Sequence, residues 1–414
     1  MVLIGIKFDN LFKLIYKRLI KPRSTRGFLF VGGWVDLEMR FKIEKIFMKD
    51  LTTLFLTLVL FPVFSGAQEP LVVKNLTVIK EKNRFAGWPA NHGIWSWGNE
   101  IVVGFSFGFH DDEKDEGHPI KGPTSNLQAR SLNGGETWAV EELSFLDADE
   151  NEKGPADCSG GIDFTQPNFA FKFQPGSAIF YYSTDRCKTW IGPFTFPTFG
   201  REQVLARTDY MVNGKHDMFV FLTSPKENGK EGWPFCARTR DGGGTWEHIG
   251  WIGQQPPVDI YGYAIMPSTV KLKSGAFLSI IRRGGLFDGK ARWWLEGFLS
   301  PNEGHSWYLL DQPYIDNHGN PPHMIRLQDG RIALTYGWRE KPYYGIRARI
   351  SADEGVTWDE EFILRGDGDV WDLGYPRTVQ RLDGMCVTIY YFKDNTSKER
   401  YIAATIWNPG IREN

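Results

Sequence analysis

Five short segments of this 414-residue chain end in the same way, with a polar turn running straight into a tryptophan. They are SLNGGETW (Ser131–Trp138), STDRCKTW (Ser183–Trp190), TRDGGGTW (Thr239–Trp246), SPNEGHSW (Ser300–Trp307) and SADEGVTW (Ser351–Trp358). The shared pattern is Ser/Thr, any residue, Asp/Asn, any, Gly, any, Thr/Ser, Trp. Only Cys187 departs from it, at the glycine position. The chemistry is that of a tight hairpin. An Asp or Asn side chain accepts from backbone N–H groups just downstream, and Gly supplies the positive φ that closes the turn. One copy would say little, but five copies with an unvarying Trp mean a repeated structural unit.

The tryptophans at 138, 190, 246, 307 and 358 are separated by 52, 56, 61 and 51 residues. Self-similarity at this period marks a radial repeat of four-stranded units. Each unit has an inner strand and turn, as in VKLKSGAFLSII (Val270–Ile281), RLQDGRIALTYG (Arg326–Gly337) and VQRLDGMCVTIYY (Val379–Tyr391). A third strand such as GIRARI (Gly345–Ile350) follows, then the hairpin and a fourth strand. The expected fold is an all-β, six-bladed β-propeller with the hairpins on its outer rim. The sixth unit runs from Tyr375 to YIAATIW (Tyr401–Trp407) and has no hairpin box. LVVKNLTVIKE (Leu71–Glu81) is a spare strand that can complete it, closing the ring and removing an exposed edge. A seven-bladed ring would need a further unit around Cys158–Phe173. Composition agrees with an all-β chain: 45 Gly, 23 Pro and 15% aromatic residues, with no long stretch of helical periodicity. A net charge of −2 gives no basis for a nucleic-acid or anionic-membrane partner.

Met48-Lys49 precedes the apolar run LTTLFLTLVLFPVF (Leu51–Phe64) and then Ser65-Gly66-Ala67. A basic start, a short apolar core and small residues at a cleavage site read as a signal peptide over 48–67. The propeller then occupies 68–414, free of any membrane span, and the protein is expected outside the cell, in the periplasm or on the cell surface. Residues 1–47 are an extension that a start at Met48 would remove. The four cysteines, Cys158, Cys187, Cys236 and Cys386, have neither zinc-site nor disulfide-framework spacing. No phosphate-binding glycine loop or HExxH motif is present, so neither a cofactor nor a metal is expected.

Five Asp-box hairpins on six expected blades resemble the sialidase (neuraminidase) superfamily, over nearly all of the chain after the signal. The boxes carry the fold and not the chemistry, so function rests on the central face, where inner strands are expected to begin near Asn91, Asp163, Arg207, Tyr263, His323 and Tyr375. The resemblance implies an exo-acting glycoside hydrolase on a terminal acidic sugar, with sialic acid the first candidate. Arginines would hold the sugar carboxylate, an Asp would serve as acid/base and a Tyr as nucleophile, the recognised exception to the two-carboxylate scheme. By position it implies Tyr375 (in LGYPRTVQ) as nucleophile and Asp111 or Asp112 (in FHDD) as acid/base. It places Arg84, Arg282 or Arg283, and Arg339 around the carboxylate. Arg377, two residues beyond Tyr375, is expected to face the same way. Two departures stand out. The family's compact Arg-Ile-Pro is here Arg84-Phe-Ala-Gly-Trp-Pro89, and no Glu precedes Arg282 to assist the tyrosine; Asp372 is the nearest substitute. His92, Tyr263 and His323 also stand at inner-strand starts. They raise a second reading, a lyase or unusual hydrolase of uronate- or rhamnose-containing glycans that uses His and Tyr. A third is a non-catalytic glycan-binding propeller with an aromatic mouth (Trp88, Trp95, Trp97, Trp371). In each case the partner is a glycan and the chain is expected to be a monomer.

Overall fold

Strands buried on both faces read as unbroken apolar runs, whereas strands with one wet face alternate. Both kinds occur in each repeat. The run CVTIYYF is buried at every position, while AVEE is almost wholly exposed. Sheets that stack face to face around an axis produce this gradient from inside to outside. The computed structural model describes residues 71–410 apart from 115–116, 147–153 and 231. The expected signal peptide and the extension before it lie outside the described residues.

The chain opens with β1 (Leu71–Ile79). In blade 1, β2 (Arg84–Gly87) and β3 (Ile94–Trp97) lie end to end against β4 (Glu100–His110), followed by β5 (Ile120–Ser131) and β6 (Ala139–Glu142). Blade 2 has β7 (Ala170–Phe173), β8 (Ile179–Ser183) and β9 (Ile191–Thr195). Blade 3 has β10 (Tyr210–Gly214), β11 (Asp217–Ser224), β12 (Trp233–Thr239) and β13 (Glu247–Trp251). Blade 4 has β14 (Gly262–Lys271), β15 (Phe277–Phe287), β16 (Lys290–Ser300) and β17 (Tyr308–Ile315). Blade 5 has β18 (Pro322–Arg326), β19 (Ile332–Trp338), β20 (Tyr344–Ser351) and β21 (Phe362–Gly368). Blade 6 has β22 (Gly374–Gln380), β23 (Cys386–Phe392) and β24 (Tyr401–Asn408), and its outer strand is β1, antiparallel to β24 from Leu71↔Asn408 to Ile79↔Ile402. The fold is therefore the expected six-bladed propeller, closed by its first strand. Blade 2 departs from the pattern. Its box joins the second and third of three strands, and its outer edge takes isolated parallel bridges from Phe145 and Ala156. Among the described residues no helix is long and apolar enough to cross a membrane.

The boxes share one geometry. The first Ser/Thr hydroxyl accepts from the N–H four residues on, at 2.8–3.0 Å, in all five. The Asp/Asn Oδ1 accepts from the Thr/Ser N–H four residues beyond it, also at 2.8–3.0 Å. The glycine position has φ between 87° and 92° in four boxes, and Cys187 takes φ 60° in the fifth. This turn seats each box on the blade before it. A Cβ at Gly135 would lie 2.9 Å from Val387 of blade 6, one at Gly304 2.8 Å from Cys236 of blade 3, and one at Gly355 2.5 Å from Leu278 of blade 4. The Cys187 carbonyl accepts from Gln128 of blade 1 at 2.8 Å, and the Asp241 carbonyl accepts from the Gly161 N–H, in the segment leading to blade 2, at 2.7 Å. Blade 6 has no box, and there the chain end takes over: Arg331 of blade 5 donates to the carbonyls of Pro409 and Gly410.

Gly355→Ala tests this seating. It adds left-handed backbone strain of about 1–3 kcal/mol to a collision with Leu278. The unfolding free energy is expected to fall by that amount or more, seen as a lower urea midpoint at unchanged slope; an unshifted midpoint would mean the box does not hold blade 5 to blade 4.

Candidate active site

The starts of the inner strands and the ends of the second strands meet at one end of the axis. Tyr375 opens β22 with φ 52°, following Gly374 at φ 106°. Buried Asn320 holds that turn: its Oδ1 accepts from the Tyr375 N–H at 3.0 Å, and its Nδ2 donates to the Leu373 carbonyl at 2.7 Å. A side chain at Gly374 would run into Asn320, whose Nδ2 would lie 2.3 Å from the new Cβ. Non-glycine residues at positive φ carry strain and gather at functional sites; Trp88 (58°) and Met266 (53°) are two others at this end.

Arg282 of β15 donates from Nη1 to the Tyr375 Oη at 3.0 Å, and its guanidinium lies 5.5 Å from the Tyr263 ring. The Arg339 guanidinium lies 5.6 Å from the Tyr375 ring and 5.1 Å from Trp371. Arg339 donates to the carbonyls of Leu373 and Gly319 and to the Tyr391 hydroxyl. Neighbouring Arg283 points the other way and pairs with Glu296 at 3.0 Å, so strand alternation selects Arg282 for the mouth.

Behind this pair lies Asp372, with no exposed surface. Its Oδ1 accepts from the Tyr391 hydroxyl and meets His118 Nδ1, each at 2.6 Å, and its Oδ2 accepts from Arg400 Nε at 3.2 Å. Burial opposes ionisation of Asp372. The His118 hydrogen bond and the positive charges of His118 and Arg339 outweigh it and hold the carboxyl below its usual range. The His118 ring packs edge-on to Trp88 at 5.1 Å and lies 5.9 Å from Trp371.

The remaining sequence candidates have their partners elsewhere. Asp111 pairs with Lys121 at 3.5 Å, and Asp112, 54% exposed, pairs with Lys398 and His110. Among the described residues, neither bonds to Tyr375. Arg84 stacks over Phe107 and Phe109 at 4.1 and 4.2 Å. Arg377 is buried and donates to the carbonyls of Ala90 and Thr208, tying blade 6 to blades 1 and 3. His92 bonds to Ser106 at 2.9 Å, and His323 Nδ1 accepts from the Thr378 N–H at 3.0 Å. Burial first, then the nearby cations, lowers His92 to about 3; His323 is lowered by burial and by Arg377. Two residues in the cluster, His118 and Tyr391, were not singled out from sequence. His118 ends a charged run that reads as a solvated loop, and its one sequence cue is that the run sits on the first blade. Among the described residues, no three His, Cys, Asp or Glu side chains come together as a metal would require.

A carboxyl depressed in the folded state adds stability that is full above its unfolded value, about 4, and is lost as pH falls through the folded value. Asp372→Asn removes that term and leaves Arg400 and His118 facing a neutral group. The stability gap between wild type and variant is expected to be widest near neutral pH and to narrow below about pH 4, read from urea midpoints at several pH values. A gap that does not change with pH would show that Asp372 is not ionised in the fold.

No family model and no curated protein matches the sequence. Solved structures do match the fold. A protein of unknown function from Dyadobacter fermentans aligns over 82% of this chain and 99% of its own, at 20% identity and a TM-score of 0.61. A Penicillium chrysogenum alpha-L-arabinanase complexed with arabinobiose aligns over 81% and 98%, at 12% identity and 0.52. A Hadza microbial sialidase aligns over 78% and 65%, at 12% identity and 0.50. The chain thus has the six-bladed propeller fold found in arabinanase and sialidase structures.

Proposed function

We propose that the protein is an exported glycoside hydrolase that removes a terminal acidic sugar from a glycan. The observation that carries this reading is the 3.0 Å contact from Arg282 to the Tyr375 hydroxyl, with Arg339 over the same ring. Two guanidinium groups beside one phenol give this end of the axis a positive field that suits a carboxylate. A tyrosine suits attack on a carbon that bears a carboxylate, because a neutral nucleophile is not repelled by it. Arg282 donates to the phenolic oxygen, so the phenol's own proton remains available for transfer. Trp371, 41% exposed, offers a flat apolar wall for the sugar ring. The arginines favour an acidic sugar over the neutral arabinan implied by the name of the arabinanase neighbour.

One observation favours a second reading. Among the described residues no carboxylate hydrogen-bonds to the Tyr375 hydroxyl, and Asp111 and Asp112 are engaged elsewhere. The same arginines would then neutralise a uronate carboxylate while Tyr375 moves a proton in an elimination. One assay separates the two. The chain from Gln68 is incubated with methylumbelliferyl sialosides and glucuronides and with uronate polysaccharides, reading released fluorophore and the ultraviolet absorbance of unsaturated uronate.

Fluorophore release that falls about 10³-fold or more in Tyr375→Phe, and about 10²–10³-fold in Arg282→Ala, is the expected result. Absorbance without fluorophore establishes the lyase instead, and Tyr375→Phe activity equal to wild type removes Tyr375 from either mechanism.

A further inference from the structure

We infer that His118 is the group that gives and takes the proton at the glycosidic oxygen, with Asp372 as its positioning partner; this rests on the hydrolase reading above. A hydrolase needs a proton donor for its leaving group, and the two aspartates on the first-blade loop are held by Lys121 and Lys398. The same loop brings His118 to the mouth instead. Its Nδ1 lies 2.6 Å from the fully buried Asp372 carboxylate. An ionised carboxylate can only accept, so Nδ1 carries the hydrogen and Nε2 is the exchanging nitrogen. Nε2 has no hydrogen-bond partner among the described residues, and the side chain is 37% exposed. Trp88 and Trp371 fix the plane of the ring.

His118 is joined to the nucleophile by contact. The Asp372 oxygen that meets His118 also accepts from Tyr391, and the Tyr391 ring lies 5.8 Å from Tyr375. Among the described residues, several charged groups bear on His118 and its carboxylate. Asp372 touches it, Arg400 and Tyr391 bond to that same carboxylate, and Arg339 acts on it through charge. On its own loop, His110, Asp111 and Asp112 are tied to one another or to lysines. A histidine backed by a buried carboxylate keeps its tautomer and its orientation towards the leaving oxygen.

The steps balance. In the first, the His118 Nε2 proton passes to the glycosidic oxygen, which departs with the electron pair of its bond to the anomeric carbon. The Tyr375 oxygen forms the new bond to that carbon, and the phenol proton passes to water. In the second, neutral His118 takes a proton from an incoming water whose oxygen bonds to the anomeric carbon. The bond to Tyr375 breaks, and the phenolate recovers a proton from solvent.

The test is leaving-group dependence. Wild type, His118→Asn, His118→Gln and Asp372→Asn are compared on two glycosides of the same acidic sugar, one with an acidic phenol as leaving group and one with a sugar alcohol. Urea midpoints confirm that each variant is folded. A proton donor matters most for the poor leaving group. Both His118 variants are expected to lose on the order of 10²–10⁴-fold in kcat/KM on the sugar alcohol and at least tenfold less on the phenol. The fall in kcat/KM at alkaline pH should disappear with them. Asp372→Asn should show the same leaving-group bias in weaker form. Equal losses on both substrates, or unchanged turnover of the sugar alcohol, overturn the assignment to His118 and leave the hydrolase standing. Absence of turnover by wild type on both overturns the hydrolase reading, and this assignment with it.

Discussion

The seating of each hairpin box on the preceding blade is the contact from which the rest of the structure follows. A propeller has no single core; it has interfaces between sheets, and each must be set to the same angle for the ring to close. The box sets that angle by local chemistry. Two side-chain acceptors, worth about 1 kcal/mol each, hold a left-handed turn in which the glycine position meets the preceding sheet within contact distance. Their energetic contribution is modest, but their geometric effect is large, because a Cβ at Gly355 has no room beside Leu278. Blade 2 shows how far the rule bends. Cys187 adopts the same left-handed region without being glycine, and its side chain is wholly buried.

Fixed blades make fixed inner strands, and those strands carry two sets of polar groups with opposite fates. Along the axis, burial pushes side chains towards their neutral forms. Asp209 rises to about 8 and Lys172 falls to about 7, in each case chiefly through desolvation. His92 and His323 belong to this set, and Arg377 spends its hydrogen bonds on carbonyls of two other blades. Hydroxyls do the same stitching: Ser268 accepts from the Met324 N–H and Thr208 from the Phe173 N–H. At the mouth, Arg282 and Arg339 keep their charge beside tyrosine hydroxyls, Asp372 keeps His118 and Arg400 as partners, and the turn that presents Tyr375 takes a positive φ.

The fold was legible because its determinants are local. An eight-residue turn that needs a positive φ leaves its requirement in the sequence, and the five turns mark five of the six blades. Closure by β1 was legible for a similar reason, since an orphan strand at one end answered a missing strand at the other. The site was only partly legible. The family resemblance led to Tyr375 and Arg339, and the choice between Arg282 and Arg283 stayed open until the pairing of Arg283 with Glu296 was seen. Arg377 could not be placed, because the β22–β23 pairing shifts register between Gly374 and Arg377, and a bulge breaks the two-residue alternation that would have put both side chains at the mouth. His118 was hidden for the opposite reason. Its meaning comes from Asp372, 254 residues away, and nothing in a charged loop reveals which residue the fold will bring to a distant carboxylate.

Charge balance narrows what the mouth can hold. Arg282, Arg339 and Arg400 bring three positive charges to the neighbourhood of one ionised carboxylate, Asp372, which is already shared among Tyr391, His118 and Arg400. Desolvating cations is costly unless an anion enters with its own hydrogen-bond acceptors. A neutral sugar would bring no charge to the Arg282 and Arg339 side, whereas a sugar carboxylate does and is drawn towards it from solution. The same arrangement places the one carboxylate behind the histidine and away from the incoming anion, so it can steady a proton donor without repelling the substrate.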